Sequence, residues 1–236
     1  NEPGRGEWPR PLLWALRRRR SPAHVAALLR AGADAGARTA DGTDAATLAR
    51  RLGQPAMAAL LGTPVDTPVE RFVAACTSAD EARARSLQAE HPEWPAALPP
   101  ALLRLLPELA AQGQSDAVRC MVRLGWPIAT RGGDWDASAL NQAVFRGDAT
   151  LAGFLLAHGA DWTDMHGFGD NCCGTLSWAS CNIPATDGEP GDWLGCAQAL
   201  LAHGMPGAQP DPAEPGVLRV GGRSYRFSDE VAACLL

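Results

Sequence analysis

The chain has 236 residues, of which 46% are hydrophobic, so it can bury a core in one or two domains. Its formal charge of −5 argues against a general binder of nucleic acids or anionic membranes. No apolar run approaches the roughly 18 residues that span a bilayer, and no segment has the pattern of a signal peptide. Seven cysteines, an odd number spread through helical patterns, predict reduced thiols in a cytoplasmic protein.

The first half of the chain contains three copies of a helix-turn-helix pattern. Residues 11–15 open the first copy and residues 28–34 close it. Asp41 and Gly42 form a turn into a second copy, which keeps Gly53 after its first helix but has a short second helix from Met57 to Leu61. The third copy is degenerate, with apolar stripes in residues 72–76 and 82–87. The copies around residues 41–98 are therefore weak.

The second half repeats the pattern more regularly. The fourth copy covers residues 106–125, and the fifth covers residues 138–161. The spacing from His91 to Gly125 is 34 residues, as is the spacing from Gly125 to Gly159. In the fifth copy, residues 140, 143 and 144 and residues 151, 154 and 155 form apolar stripes at i, i+3, i+4, separated by Gly147. Two such helices cannot bury their apolar faces alone, which predicts a stack of repeats.

The last copy leads into a different C-terminal segment. Residues 174–179 and 199–204 form the sixth copy, with an insertion over about residues 182–192. Residues 217–220 and 223–227 flank the pair Gly221-Gly222, which predicts a β-hairpin. Ser228 is then expected to cap a last short helix.

Residues 138–161 resemble an ankyrin repeat, whose pattern opens T-P-L-H-x-A and ends L-L-x-x-G-A-D. Ser138 to Asn141 occupy the T-P-L-H positions, and Leu155, Leu156 and residues 159–161 match the ending. The resemblance to bacterial ankyrin-repeat proteins covers about residues 8–206. It implies an all-α solenoid of about six repeats over residues 1–206. Residues 207–236 would add a β-hairpin and helix cap to the same domain. The irregular first copy also predicts further repeats or another domain before Asn1.

The signature histidine of the T-P-L-H pattern is absent from every copy. Its position, called the histidine slot below, is taken by residues of very different polarity: Leu13, Thr47, Val73, Pro107, Asn141 and Ser177. This departure concerns the hydrogen bonds that tie successive turns together, and it leaves the predicted architecture unchanged.

The resemblance implies a protein–protein interaction module that binds through a concave helix face and through projecting finger loops. The finger tips would hold Arg38, Asp41, Arg131, Asp134, Trp135, Asp164, His166 and Phe168. The resemblance predicts no catalysis and no cofactor, while the net negative charge and the lack of a long apolar run argue against nucleic acid and membranes as partners. Tryptophan and arginine often dominate the binding energy of protein interfaces, so we expect them to contribute most among the predicted partner-binding residues. The predicted partner-binding residues are Trp14, Arg17, Arg18, Glu108, Trp135, Gln142, Phe145, Arg146, His166 and Trp178.

Two features suggest narrower alternatives. A metal-binding, small-molecule or enzymatic site could lie on the Asp164–Cys181 loop, where Cys172, Cys173 and His166 are close in sequence. Adjacent cysteines disfavour a shared zinc ion, and no known catalytic signature is present, so we expect neither metal nor catalysis there. The basic residues 17–20 could take an acidic segment of a partner, or could lie at the negative end of the first helix dipole.

Overall fold

The computed structural model describes residues 10–183 and 191–236. The chain forms two compact units, Asn1–Leu105 (unit 1) and Leu106–Leu236 (unit 2). None of the described helices combines the length and the apolar character needed to cross a bilayer.

Unit 1 consists of helices that pack in consecutive pairs. The first helices of the pairs also pack side by side, so the unit has one row of first helices. Phe72, Leu13 and Leu52 are among its fully buried side chains. The pairs are α1 (Pro11–Arg17) with α2 (Pro22–Arg30), α3 (Ala45–Arg51) with α4 (Pro55–Leu61), and α5 (Pro68–Thr77) with α6 (Glu81–Glu90), followed by the short α7 (Pro100–Leu103).

Unit 2 repeats this plan and adds strands. Its helices are α8 (Leu105–Ala111), α9 (Ser115–Arg123), α10 (Ala139–Arg146), α11 (Ala149–Ala157), α12 (Cys172–Asn182) and α13 (Trp193–Ala202). Helix α10 packs on α12, while α11 packs between α9 and α13. A two-stranded antiparallel hairpin precedes α10, formed by β1 (Arg131–Gly132) and β2 (Ala137–Ser138).

The C-terminal segment of unit 2 forms a small sheet and a helix. Strands β3 (Gln209–Pro210), β4 (Leu218–Val220) and β5 (Arg223–Tyr225) pair antiparallel in that order. Helix α14 (Asp229–Leu235) follows and packs against α13. The strands β4 and β5 and the helix α14 thus lie where the sequence predicts a hairpin and a final helix.

Local signals explain where the helices begin and end. Proline occupies the first helical position of α1, α2, α4 and α5, where no amide hydrogen is needed. Asp44 and Asp148 accept hydrogen bonds from the third backbone amide of α3 and α11 (2.8 and 2.9 Å). Gly147 ends α10 in the left-handed region (φ +66°), and a Cβ there would lie 2.5 Å from the Cα of Gly191. Only glycine fits such a turn without displacement.

In three repeats, different side chains at the histidine slot make the hydrogen bonds that tie a repeat to the segment after it. Asn141 is fully buried, and it also accepts a hydrogen bond from Thr175 Oγ1 of α12 (2.7 Å). In each of these repeats the slot residue bonds a backbone atom of the following segment: Thr47 Oγ1 accepts from Val65 N (2.9 Å), Asn141 Nδ2 donates to Asp164 O (3.2 Å), and Ser177 Oγ donates to Arg226 O (2.6 Å). Turns are thus tied together without histidine.

Three sequence predictions need correction or restriction. Helix α4 begins at Pro55, two residues before the predicted Met57. Ser228 stands at the N-cap position of α14, but its side chain makes no capping hydrogen bond. Of the predicted insertion, residues 184–190 lie outside the described residues, and helix α12 continues to Asn182.

Candidate protein-binding surface

Two loops of unit 2 correspond to predicted fingers: the β1–β2 hairpin, residues 131–138 (finger 1), and residues 161–171 (finger 2). Arg131 closes finger 1 by an ion pair with Asp136 (2.7 Å). The fingers are joined by a backbone hydrogen bond from Gly167 N to Trp135 O (2.9 Å). A Cβ at Gly167 would lie 2.9 Å from that same oxygen, so the close approach requires glycine. Trp135 and finger 2 therefore have a fixed relative position.

Finger 2 turns sharply around Phe168. His166 N donates to Asp170 O (2.8 Å), and Gly169 N donates to His166 O (2.9 Å). Phe168 N donates to His166 Nδ1 (3.3 Å), which places the proton of a neutral ring on Nε2. This turn leaves the Phe168 side chain 81% exposed.

Five rings from both fingers, α10 and α12 make consecutive contacts. Phe168 lies 6.0 Å from His166, and His166 lies 4.9 Å from Trp135 in an edge-on arrangement. Trp135 is 5.6 Å from Phe145, which stacks on Trp178 at 5.6 Å with the ring planes 10° apart. These separations fall within the range preferred by aromatic pairs. We call this set, Trp135, Phe145, His166, Phe168 and Trp178, the aromatic row.

The aromatic row presents an exposed apolar surface. Trp178 is 54% exposed, Phe168 is 81% exposed, and Met165 beside His166 is 37% exposed. Trp135 and Phe145 are half-buried between them. Isolated exposed apolar residues need no explanation, whereas a contiguous group marks an interaction site.

Two predicted binding residues are buried instead of exposed. Gln142 is 3% exposed on α10, because finger 1 covers it: its Nε2 atom would lie 3.3 Å from a Cβ at Gly133. That Nε2 atom has no hydrogen-bond partner. His166 is 7% exposed, and its burial lowers the pKa of the imidazole, an effect that Asp170 opposes. His166 is thus the buried member of the aromatic row, and Gln142 lies beneath finger 1.

Comparison with known proteins agrees with this architecture. No family model matches the sequence, and no curated protein matches it. Among solved structures, the ankyrin repeat domain of Bcl-3, a member of the IκB protein family, is 17% identical with a TM-score of 0.50. The alignment covers 95% of this chain and 97% of that one. The chain has the ankyrin-repeat fold.

A second solved structure, the human ASB11 ankyrin repeat domain, is 17% identical with a TM-score of 0.48. It covers 95% of this chain and 96% of the other. At 17% identity, the likeness to the Bcl-3 domain concerns the fold alone.

The remaining predicted positions of unit 2 are Glu108 and Arg146. Glu108 is half-buried on α8. Arg146 is exposed, but its guanidinium lies over Gly113 and Nη1 donates to Ala111 O (3.3 Å). Arg146 therefore packs across the turn between α8 and α9, a role that the ankyrin-repeat pattern alone did not predict.

The predicted positions of unit 1 form a separate cluster. Trp14 and Arg17 are half-buried and Arg18 is exposed. The guanidinium carbons of Arg18 and Arg20 lie 5.5 and 5.7 Å from the Trp14 ring centre, within cation–π range. Arg19 points elsewhere, because its Nη1 donates to Leu52 O (2.9 Å).

The cysteines near finger 2 do not form a reactive site. Cys172 and Cys173 are buried, which raises the pKa of both thiols, that of Cys173 to about 12. A neutral thiol is a poor nucleophile and metal ligand. Within residues 10–183 and 191–236, no cluster of three or more His, Cys, Asp or Glu side chains is placed to hold a metal ion.

A catalytic triad on this loop is not formed either. Asp170, the carboxylate on this loop that could orient a histidine base, accepts hydrogen bonds from Arg223 Nη1 and Tyr225 OH, both at 2.9 Å. The His166 ring instead contacts Trp135 and Phe168. Asp170 thus links finger 2 to the C-terminal sheet.

Some features of this surface could not be predicted from the sequence. The ring contacts themselves, Met165 and the Asp170 link were not predicted. Phe168 itself was predicted at a finger tip, and its position between Gly167 and Gly169 is typical of a tight turn that exposes its central side chain.

Proposed function

We propose that this chain is a non-catalytic recognition module that binds another protein through the aromatic row. The observation that carries the proposal is the unbroken chain of ring contacts from Phe168 to Trp178, with both end rings exposed. Tryptophan and other aromatic side chains supply much of the energy of protein interfaces.

Rigidity of the surface supports the same function. Trp135 is held by the backbone bond to finger 2, and Phe145 and Trp178 stand on helices that pack on each other. Aromatic side chains have few rotatable bonds, and these are already restrained by ring contacts. Little ordering entropy is therefore lost when a partner binds.

Unit 1 offers a second contact area of different chemistry. Trp14 with Arg18 and Arg20 suits an acidic segment of a partner, because guanidinium groups bind carboxylates with two parallel hydrogen bonds. Arg17 lies at the end of α1 beside this cluster. The chain uses neither a cofactor nor a metal in this role.

The C-terminal segment, residues 207–236, closes the last repeat. Arg226 O accepts from Ser177 at the histidine slot, where Thr47 and Asn141 bond the loop that follows their own repeats. Ser180 Oγ also accepts a hydrogen bond from Ser228 N (3.2 Å). The segment thus occupies the place of a further finger. All seven cysteines are free thiols, consistent with the reducing conditions of a cytoplasm.

The proposed function is tested by cross-linking and capturing the proteins that bind three forms of the chain: the native chain, Trp178→Ala and Phe154→Ala. Trp178→Ala removes the most exposed tryptophan of the row. Phe154→Ala is the matched control, because Phe154 is a half-buried ring on α11 that contacts His158, Arg119 and Arg123 and is not part of the row. We expect a protein to be retained by the native chain and by Phe154→Ala and lost from Trp178→Ala.

The captured protein is then measured by titration calorimetry. We expect Trp178→Ala to weaken its binding at least about ten-fold, as for a hot-spot residue. Equal affinity for all three folded chains, or no specific protein in any capture, would remove the aromatic row as the binding site.

A further inference from the structure

The loops that carry the aromatic row are rich in carboxylates. Fingers 1 and 2 contain five aspartates and one arginine, and unit 2 as a whole has 15 Asp and Glu residues against 7 arginines, a formal charge of −8. Asp136 is paired with Arg131, and Asp170 with Arg223. Even with both arginines counted, the five aspartates leave fingers 1 and 2 with an excess of three negative charges.

The electrostatics of finger 2 show the same excess. Partial burial raises the pKa of Asp164, and repulsion from Asp161 raises it further, while Arg131 has the opposite effect. A cation brought to this edge would relieve that repulsion. A positively charged side chain of a partner is the complementary group.

The spacing of the row matches an extended peptide. Successive ring centres are 4.9 to 6.0 Å apart. In an extended chain, every second side chain points to the same face, at intervals of about 6.6 Å. This repeat is close to the ring spacing, so alternate side chains of a bound segment can reach the exposed rings of the row, while His166 stays buried.

A buried donor beside the row also lacks a partner. Gln142 is 97% buried, and its Nε2 atom lies against the turn at Gly133 with no hydrogen-bond acceptor. A buried unsatisfied amide is costly and calls for a specific explanation. A small displacement of this glycine turn would open the amide to a carbonyl oxygen, the group that every residue of an extended peptide presents.

We propose that the aromatic row binds an extended peptide segment carrying arginine or lysine side chains, whose cations lie over the exposed rings of Trp178 and Phe168 beside the finger aspartates. Cation–π contact is strongest with tryptophan, and arginine is its most frequent cationic partner. This inference rests on the proposed function, since it specifies the chemistry of the partner at the same surface.

The test uses two labelled peptides that differ in charge alone. In one, arginine alternates with serine. In the other, citrulline, a neutral side chain of nearly the same shape, replaces each arginine. Binding is measured by fluorescence anisotropy at an ionic strength of about 0.15 M, at which distant charges are screened. We expect the arginine peptide to bind at least about ten-fold more tightly, and Trp178→Ala, but not Phe154→Ala, to abolish most of this difference.

A charge-matched pair of variants separates the site from general attraction. Asp134→Asn with Asp164→Asn removes two charges beside the row, whereas Asp229→Asn with Glu230→Gln removes two at the start of α14. We expect the first pair to weaken binding of the arginine peptide several-fold more than the second. Equal losses from both pairs, or equal binding by Trp178→Ala and the native chain, would mean non-specific attraction and overturn the inference.

The remaining outcomes keep the two proposals distinguishable. If both peptides bind equally, or neither binds, while the cross-linking capture still depends on Trp178, the partner is not cationic and the proposed function stands. If the capture also fails, both are overturned.

Discussion

The two units expose tryptophan in contrasting ways. In unit 1, Trp14 lies beneath two guanidinium groups of its own chain, those of Arg18 and Arg20. In unit 2, Trp178 stacks on Phe145 and remains 54% exposed. A ring already covered by cations offers charge to a partner, whereas a ring stacked on another ring offers its own apolar face. The same fold therefore supports two kinds of contact area.

Charge follows the same division. Residues 1–105 contain 14 arginines and 11 Asp and Glu residues, a formal charge of +3, whereas residues 106–236 carry −8. Both units are built from the same helix pairs. Surface charge thus varies between the units while the repeat backbone is kept.

The histidine slot sharpens the comparison, because the two units fill it differently. In unit 1, Thr47 Oγ1 donates to Asp44 Oδ2 (2.9 Å) and accepts from Val65 N. In unit 2, the longer Asn141 side chain spans three groups: its amide nitrogen donates to Ser138 Oγ (3.2 Å) and Asp164 O, and its oxygen accepts from Thr175. The hydrogen bonds of Asn141 therefore connect α10 both to finger 2 and to α12.

Asn141→Leu is expected to have the largest effect on stability. It keeps the branched shape and the number of heavy atoms but leaves the Thr175 hydroxyl and Asp164 carbonyl without this partner, so we expect a loss of about 2–4 kcal/mol in the free energy of unfolding. Thr47→Val removes fewer hydrogen bonds and should cost about 1–2 kcal/mol. Urea denaturation measures both values.

The control is Asn182→Leu, the same substitution at an exposed position on α12, where less than about 0.5 kcal/mol should be lost. If Thr47→Val lowers the free energy of unfolding as much as Asn141→Leu, the histidine slot stabilises both units equally, and this part of the comparison is wrong.

The histidine slot also shows which features of the fold could be predicted from the sequence and which could not. Apolar periodicity and the glycines between helices, such as Gly147, were sufficient to predict the repeats, because both are local signals. The slot hydrogen bonds were not predicted, since they depend on which atom of the next loop comes within reach. For Asn141 that atom is 23 residues away.

The aromatic row was predicted in part for a similar reason. Trp135, Phe145 and Trp178 were identified from their repeat positions, but their mutual contacts arise from the packing of fingers and helices. Gln142 was expected to be accessible because its slot faces the concave side in ankyrin repeats. Finger 1 covers it through Gly133, and the repeat pattern does not specify that approach.

Asp170→Asn tests the hydrogen bonds that link finger 2 to the C-terminal sheet. Its expected effect is smaller than that of Asn141→Leu. Tyr225 is the single tyrosine of the chain, so its ionisation can be followed by tyrosinate absorbance. Burial raises the pKa of Tyr225, and the hydrogen bond to Asp170 and the charge of that carboxylate raise it further. In Asp170→Asn the pKa of Tyr225 should fall but stay above its ordinary value, because burial remains.

The matched control is Asp211→Asn, which removes a carboxylate that pairs with Arg219 and Ser224 in the same C-terminal segment. It should leave the Tyr225 titration unchanged. An unchanged titration in Asp170→Asn would show that the tyrosine does not bond Asp170 in solution, and Arg223 alone would then link Asp170 to the C-terminal sheet.

His166 gives the smallest expected effect, a pH dependence that belongs to unit 2. Burial, the largest cause, and Arg131 lower the pKa of the imidazole from its ordinary 6.5, and Asp170 opposes the shift. The folded state thus favours the neutral ring, which accepts a hydrogen bond at Nδ1 from Phe168 N. The stabilisation is complete above about pH 6.5 and is lost as the pH falls through the lowered pKa.

We therefore expect the free energy of unfolding to decline more steeply below about pH 6.5 in the native chain than in His166→Asn. His24→Asn, which changes an exposed histidine of unit 1, should keep the native slope. A slope unaffected by His166→Asn would mean that the ring ionises as freely in the folded chain as in the unfolded one. In that case finger 2 does not hold His166 beneath Phe168, and the exposed end of the aromatic row would not be preorganised for a partner.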